Sequence, residues 1–429
     1  QLFKRSGRAM SDYITIRRVQ PHWRSFFKDG TVINLYSDPE KMDAEAERIA
    51  PGSVQGLRDL LSYSAKQYDL IDYGYFKQGL DTAGEMLRFY GVKMLLQFDF
   101  WRSMHSAVVH HLRDPRLRDM FDFFIKYVGS SPGDAPGFMN CMSAVQFRHD
   151  LWYVEGGMYG IACGLGRLMK ELSIGVHLKS EVRSIEKSGG EVTGLTLADG
   201  TFVAADIVVS NMEVIPTYQS LLQEDGGYVR RLVKQLEPSC SGVVIDLGLN
   251  CQYPQLAHHN CFFSENPKAF YTSVFHKQEL PADPTVYVVA AARTDPSIAP
   301  KDCDSLKILA HVPHMNTKNQ YTQYEYMEFK DRVIDKLEGM GLTDLRKHIV
   351  VEHVWTFLDI QEHYLSHCGS IYGVVSSRWI NFGFKGPKQS PLYKNLFFTG
   401  GSVNPGGGMP MVILCGQSVA QKISRWDQH

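Results

Sequence analysis

No run in this 429-residue chain reaches ~18 consecutive apolar residues, so no segment reads as a transmembrane helix. The eight cysteines are scattered and form no CxxC pair. That excludes a zinc ribbon or a disulfide scaffold and points to a reducing compartment. Neither charge sign is in excess: 45 Lys+Arg stand against 46 Asp+Glu. A dedicated nucleic-acid binder would carry a basic surplus, so no nucleic-acid partner is expected. The opening Gln1-Leu2-Phe3-Lys4-Arg5 has no signal-peptide apolar core. No internal repeat and no low-complexity segment is present. The GxGxxG dinucleotide fingerprint is absent too. Gly157, Gly160, Gly164 and Gly166 cluster but miss its spacing. No Ser/His/Asp frame marks a nucleophile, so no catalytic acid, base or nucleophile is nominated. His110-His111, His258-His259 and His311 with His314 lack a carboxylate in frame, so no metal is expected.

What the chain does have is length and aromatic residues. At ~150 residues per domain it predicts two or three domains. Phe (23) and Tyr (21) are abundant enough for a large apolar pocket, although an ordinary core uses them as well. Ile33 to Tyr36 reads as a strand end, and Ser37-Asp-Pro39 as a helix entry. Gly79 to Leu112 is rich in Leu, Met, Phe and Trp. It reads as an amphipathic helix on a core, or as an apolar surface that dips into a membrane. Asp114 to Asp119 reads as a solvated helix start. Leu151 to Gly157 reads as a short strand entering a turn, and Ile161 to Leu172 as a helix. Alternating runs from Val176 to Val209, broken by Ser188-Gly-Gly190 and Asp199-Gly200, predict a strand series with tight hairpins. Val243–Leu249 and Tyr287–Ala291 read as further strands.

The most informative stretch is a buried strand at Asn395–Thr399, a turn, and a helix at Met411–Ile423. The turn Gly400–Gly408 holds five of the 37 glycines. Without Cβ atoms, its backbone can lie against a flat or anionic ligand. The unpaired N–H groups of the following helix favour a phosphate or a developing anion.

The ending Gly400-Gly-Ser-Val-Asn-Pro-Gly-Gly-Gly-Met-Pro-Met-Val412 resembles the amine-oxidase-like flavoproteins in their carotenoid desaturase branch. So do Leu151–Gly157, Glu181–Ile185 and Ala205–Asn211. Trp23-Arg-Ser-Phe-Phe27, Phe124–Ser131, Asn211–Tyr218 and Gly339–Lys347 resemble the oxygenase members of that branch. The likeness spans essentially all 429 residues.

The resemblance implies an α/β chain with a GR2-type, Rossmann-like FAD-binding fold. That fold would be discontinuous and lack its N-terminal GxGxxG unit, beside a mixed α+β substrate domain. The implied division is 1-150 as the first part of a substrate and membrane-facing domain, 151-215 as the middle FAD-binding segment, 216-388 as the second substrate part, and 389-429 as the last FAD-binding segment. FAD is the implied cofactor. Val182 would hold the adenine edge through its backbone, with Ser210 and Asn211 nearby. Gly401 and Ser402 would face the pyrophosphate and ribityl chain. Gly407, Gly408, Met409, Met411 and Val412 would approach the isoalloxazine ring, the N–H groups of Met411 and Val412 aimed at its pyrimidine oxygen. The implied activity is oxidation of a terminal methyl of a C30 polyene such as 4,4′-diaponeurosporene to an aldehyde, in staphyloxanthin-type pigment formation. The implied partners are the polyene and a membrane surface, the protein lying peripherally on the cytoplasmic face through residues within 76–112. A homo-oligomer stays open. A desaturase or isomerase of the same fold, or a chain that only binds apolar ligands, also stays open on residue chemistry alone. Phe357 stands where the family has Pro, and is expected to alter a loop.

Overall fold

The computed structural model describes residues 2–316 and 320–426; Gln1 and the last three residues of the 389-429 segment lie outside the described residues. In chain order the strands are β1 (Ile16–Arg18), β2 (Trp23–Phe26), β3 (Val32–Leu35), β4 (Trp152–Val154), β5 (Val182–Ser188), β6 (Glu191–Leu197) and β7 (Phe202–Ala204). They continue as β8 (Val208–Ser210), β9 (Ser241–Leu249), β10 (His259–Phe262), β11 (Val286–Ala290), β12 (Asp304–Val312), β13 (Ile349–Trp355) and β14 (Leu396–Phe398).

Seven strands form one sheet in the order β13-β9-β12-β11-β10-β2-β3, antiparallel except where β10 meets β2. Alternation sets its faces. Val243, Ile245, Leu247 and Leu249 of β9 point one way, as do Leu306, Ile308, Ala310 and Val312 of β12. They pack on Phe329, Val333 and Leu337 of the Gln323–Gly339 helix. Each such side chain, fully buried, contributes ~1.5–3 kcal/mol. Thr322 starts that helix with a reciprocal cap to Glu325. On the opposite face, Trp23 and Cys261 meet Leu117 and Phe121 of the Pro115–Asp122 helix.

The remaining strands are separate. β5-β6-β7 is a three-stranded antiparallel meander, and β14 pairs with β8 in parallel. Gly189 (φ +58°) and Gly190 (φ +83°) make the first predicted hairpin turn. The core under this part joins Ile185, Val208, Ile215, Tyr218, Phe397 and Val419.

Several expectations are corrected. Gly79 to Leu112 is not one helix: Ala83–Leu95 carries a non-helical Gly91 (φ 66°, ψ 165°), and a second helix starts at Met104. Glycine permits that φ at little steric cost, which breaks the run. Val176 to Glu181 is not strand, and β8 leaves the meander to pair with a strand 188 residues away by number, Ser210 facing Phe398. The Asp114–Asp119 start is only partly solvated. Asp114 caps it through Arg116 N and Leu117 N, but Leu117 is fully buried, and burial pushes the Asp119 carboxyl up to about 7. Phe357 opens a helix, Phe357–Tyr364, instead of altering a loop. Thr356 and Asp359 cap it, and the Phe357 ring packs so tightly on Gly369 that a Cβ there would stand 2.0 Å away.

Candidate functional site

β14 is buried along its whole length, and Thr399 N donates to Ser210 O (2.9 Å), which carries the chain into the glycine turn. The underside of the turn is tied to protein. Val214 N donates to Ser402 Oγ (3.1 Å), and Gly386 N to Ser402 O (3.0 Å). The backbone of Gly373 (φ +76°) lies so close that a Cβ there would stand 2.7 Å from Gly401 O. A Cβ at Gly407 would stand 3.1 Å from Tyr372 O. The other side of the turn is open. At Gly408 (φ +99°) nothing lies within 4 Å of where a Cβ would be, and Met409 beyond it is exposed.

The Met409–Trp426 helix begins there. Val412 N donates to Gly408 O (2.9 Å) inside its first turn. That corrects the expected role of the Val412 N–H, which is spent on the helix. The Met411 N–H has no acceptor within the helix and keeps the positive helix end facing the open side. Ser210 is buried, its Oγ 2.9 Å from Thr217 Oγ1. Asn211 is exposed, with its side-chain oxygen against Gly400. Val182 opens the meander opposite Leu197, away from the turn in sequence and in sheet. Thus Ser210, Asn211, Gly401, Ser402, Gly407, Gly408, Met409, Met411 and Val412 come together at the β8/β14 ends, while Val182 belongs to the neighbouring meander.

Sequence reasoning missed the supports of this turn. Asn404 accepts from Tyr75 Oη (2.6 Å) and Lys385 N (2.8 Å), and donates to Asp81 O (3.0 Å). Asp81 is held by Lys388 Nζ (2.5 Å) and Lys422 Nζ (2.9 Å), with Asp81 and Lys388 almost fully buried. Lys385 lies under Gly406 and donates to Val374 O and Ser376 Oγ; burial pushes its amine down to about 7. Glu213, two residues past Asn211, accepts from His367 N (2.9 Å), and burial pushes its carboxyl up to about 7. The sequence signal for these was thin: Asn-Pro inside a glycine turn, and two lysines flanking Gly386-Pro387.

The turn also faces the seven-stranded sheet. Tyr372, whose backbone touches Gly407, reaches His311 of β12, with Oη 3.4 Å from Nε2. Burial, with Lys126 nearby, pushes the His311 imidazole down to about 3, so it is neutral at pH 7. Among the described residues no cluster of three metal-ligating side chains is present. His258 instead bonds Thr294 Oγ1 (2.7 Å), and His259 meets Tyr287 Oη (2.7 Å).

A parallel strand pair feeding a glycine turn and an exposed helix start, beside an apolar-faced sheet, suits a flat or anionic ligand. The family model described as flavin containing amine oxidoreductase matches residues 10–221. A 4,4'-diapolycopene oxygenase of Methylomonas sp. is 48% identical over 423 residues, 98% of this chain and 85% of that protein. A 4,4'-diaponeurosporene oxygenase of Staphylococcus aureus is 45% identical over 425 residues, 99% of this chain and 85% of that protein. An oxidoreductase from Methanosarcina mazei shares the fold with a TM-score of 0.61 at 13% identity, covering 95% of this chain and 82% of that one. The chain belongs to the flavin-containing amine oxidoreductases, in the group of the 4,4'-diapolycopene and 4,4'-diaponeurosporene oxygenases. Its cofactor is therefore FAD, and the residues present fit it: the open side of Gly408 leaves room for a flat ring, and the helix start beside it favours negative charge.

Proposed function

We propose that this chain is an FAD-dependent carotenoid oxygenase that converts the terminal methyl of a C30 polyene to an aldehyde. The observation that carries the reading is 45–48% identity over nearly the whole chain to enzymes bearing those names. The bound flavin supplies the electron chemistry. The chain's own residues do the rest. Gly407, Gly408, Met409 and Met411 would hold the ring, with the Met411 N–H toward its pyrimidine oxygen. Gly401, Ser402, Ser210 and Asn211 would line the ribityl and phosphate side, Val412 would pack beneath, and Val182 would meet the adenine. The aromatic second face of the seven-stranded sheet would orient the polyene and exclude water, which suits a substrate with no polar group along its middle. The same reading divides the chain into 1-150 and 216-388 for substrate and 151-215 and 389-429 for FAD. Sheet membership supports part of that division, since β8 pairs with β14 and β2, β3 and β9 to β13 share the large sheet, while β1 pairs with β4 across the 150/151 boundary.

A peripheral place on the cytoplasmic face of the membrane is part of the proposal. No helix among the described residues is long and apolar enough to cross a bilayer. Two neighbouring segments instead expose large apolar side chains. One carries Val92, Leu96 and Trp101, the last 75% exposed; the other carries Trp379 (72% exposed) and Phe382. Arg378 bonds Trp101 O (3.3 Å) and joins them. Such a patch, with Arg378 beside it, suits the headgroup boundary of a bilayer. Leu96→Glu should weaken vesicle binding several-fold in co-sedimentation, and unchanged binding would remove this surface from the proposal.

The activity is tested by expressing the full-length gene in a host that accumulates 4,4′-diaponeurosporene and weighing the pigments. A product that gains one oxygen and loses two hydrogens supports the reading. A product that only loses hydrogen pairs makes the protein a desaturase.

A further inference from the structure

Lys126 lies in the short helical turn Phe123–Val128, on the second face of the seven-stranded sheet. It is 6% exposed, and its Nζ has no hydrogen-bond partner among the described residues. Three rings enclose that nitrogen. It stands 3.6 Å from the centroid of Tyr287, 3.8 Å from Phe123 and 4.6 Å from Trp23. Ring faces attract a cation, but they leave the three N–H donors of an ammonium without directional acceptors. Gln146 Oε1 is also buried without a partner, while its amide nitrogen bonds Tyr127 Oη (3.2 Å). Burial pushes the Lys126 amine down to about 7. Buried donors in native proteins are nearly always satisfied, so the idle Lys126 amine can take an acceptor once the ring cage parts to admit one.

The ring cage lies near the glycine turn. Tyr372 links the two: its carbonyl lies against Gly407, its ring against Gly129 three residues past Lys126, and its Oη faces His311. A pure hydrocarbon end brings nothing to pair with Lys126. A polyene end that already carries oxygen does.

We infer that Lys126 recognises an oxygen on the end of the polyene, a terminal hydroxyl or aldehyde oxygen accepting a hydrogen bond from its ammonium inside the Trp23–Phe123–Tyr287 cage. The inference rests on the polyene reading above and adds a specificity residue to it. Lys126 would hold the partly oxidised end and disfavour release of the alcohol before the aldehyde forms. The competing role is a structural strut, in which the ammonium only props the three rings apart.

The test uses the full-length, FAD-loaded protein and its Lys126→Met variant, with a C30 polyene and its terminal aldehyde as probes. In the wild type the aldehyde should bind more tightly than the hydrocarbon. Its visible band should move to longer wavelength, because a cation at the carbonyl oxygen stabilises the charge displaced onto it in the excited state. Lys126→Met should bind the hydrocarbon as before, bind the aldehyde roughly tenfold or more weakly, and lose the band shift. Its melting temperature should not fall, since an unpartnered buried amine is gone. Equal weakening of both probes with a lowered melting temperature, or no band shift in the wild type, overturns the inference in favour of the strut. Should the methionine variant not fold, Lys126→Gln is read in the same way. A wild type that shifts the aldehyde band yet makes no oxygenated pigment breaks the activity reading and leaves this site standing. Oxygenated pigment with no effect at Lys126 does the reverse.

Discussion

In β9 and β12 every second side chain is buried against a helix, and the strands pair along nine consecutive positions. In β7 all three residues, Phe202, Val203 and Ala204, are exposed. Val209 of β8 is open to solvent, as are Ile174, Val176 and Leu178 just before the meander, Leu178 to 82%. A parallel pair such as β8/β14 is ordinarily covered on both faces. The large sheet thus holds itself together with its own residues, whereas the part built on β5 to β8 and β14 leaves apolar surface and a helix start uncovered. The difference teaches where stability depends on something bound. On the proposed reading the large sheet would be self-sufficient, and the part around β8 and β14 would be completed by what it binds.

The largest way to break that contrast is to cut the joint between the two parts. Asp81→Ala would leave Lys388 as an unpaired buried charge and release Lys422, loosening the segment whose Asp81 main-chain carbonyl accepts from Asn404 of the glycine turn. A loss of ~3–5 kcal/mol is expected in thermal or urea unfolding, with weakened FAD retention. Loss of stability with full FAD retention would show that the joint does not carry the turn.

Stripping FAD should act on one part only. At a ligand concentration near 100 times Kd, binding adds about 2.7 kcal/mol to the state that holds it. Hydrogen exchange should therefore slow in β8, β14 and the Met409–Trp426 helix on loading, and change little in β9 and β12. Uniform slowing would mean that the two parts unfold as one.

Gly373→Ala sharpens the point further. Its φ of +76° and the 2.7 Å approach of a Cβ to Gly401 O would push the turn outward at a cost of roughly 1–3 kcal/mol. FAD affinity, read by fluorescence titration, should fall about tenfold or more while the sheet's exchange rates stay the same.

A pH test has opposite signs at His258 and His311 of the sheet part and at Glu213 beside the turn. Burial lowers His258 to about 4 and His311 to about 3, so between those values and 6.5 the unfolded chain takes up protons first. The sheet part therefore loses up to ~1.4 kcal/mol per histidine for each pH unit below 6.5. Burial raises Glu213 to about 7, so from pH 7 down to 4.5 the folded chain holds the extra proton and the flavin part gains. Exchange at pH 5 against pH 7 should speed up in β12 and slow near Val214. The same sign in β12 and at Val214 would refute the assignment of these groups.

Much of the site was legible because it is local. A buried strand, five glycines in nine residues and a helix follow one another between Leu396 and Trp426, and the two glycine hairpins of the meander likewise fall where their sequence puts them. The membrane-side reading of 76–112 was only half of the exposed patch, since Trp379 to Phe382 joins it from a segment some 280 positions later. The break at Gly91 hid inside a run whose composition reads as one helix.

By itself the sequence determined most element types and the glycine turn, because hydrophobic period, glycine φ and helix capping act over a few neighbouring residues. The tertiary structure alone decided that Asp81 meets Lys388 across 307 positions, that Tyr372 backs the glycine turn, and that Lys126 comes to rest among Trp23, Phe123 and Tyr287. Such pairings depend on which apolar faces exclude water together. Burial then fixes which charges must find partners, and neither can be read from a residue's neighbours in the chain.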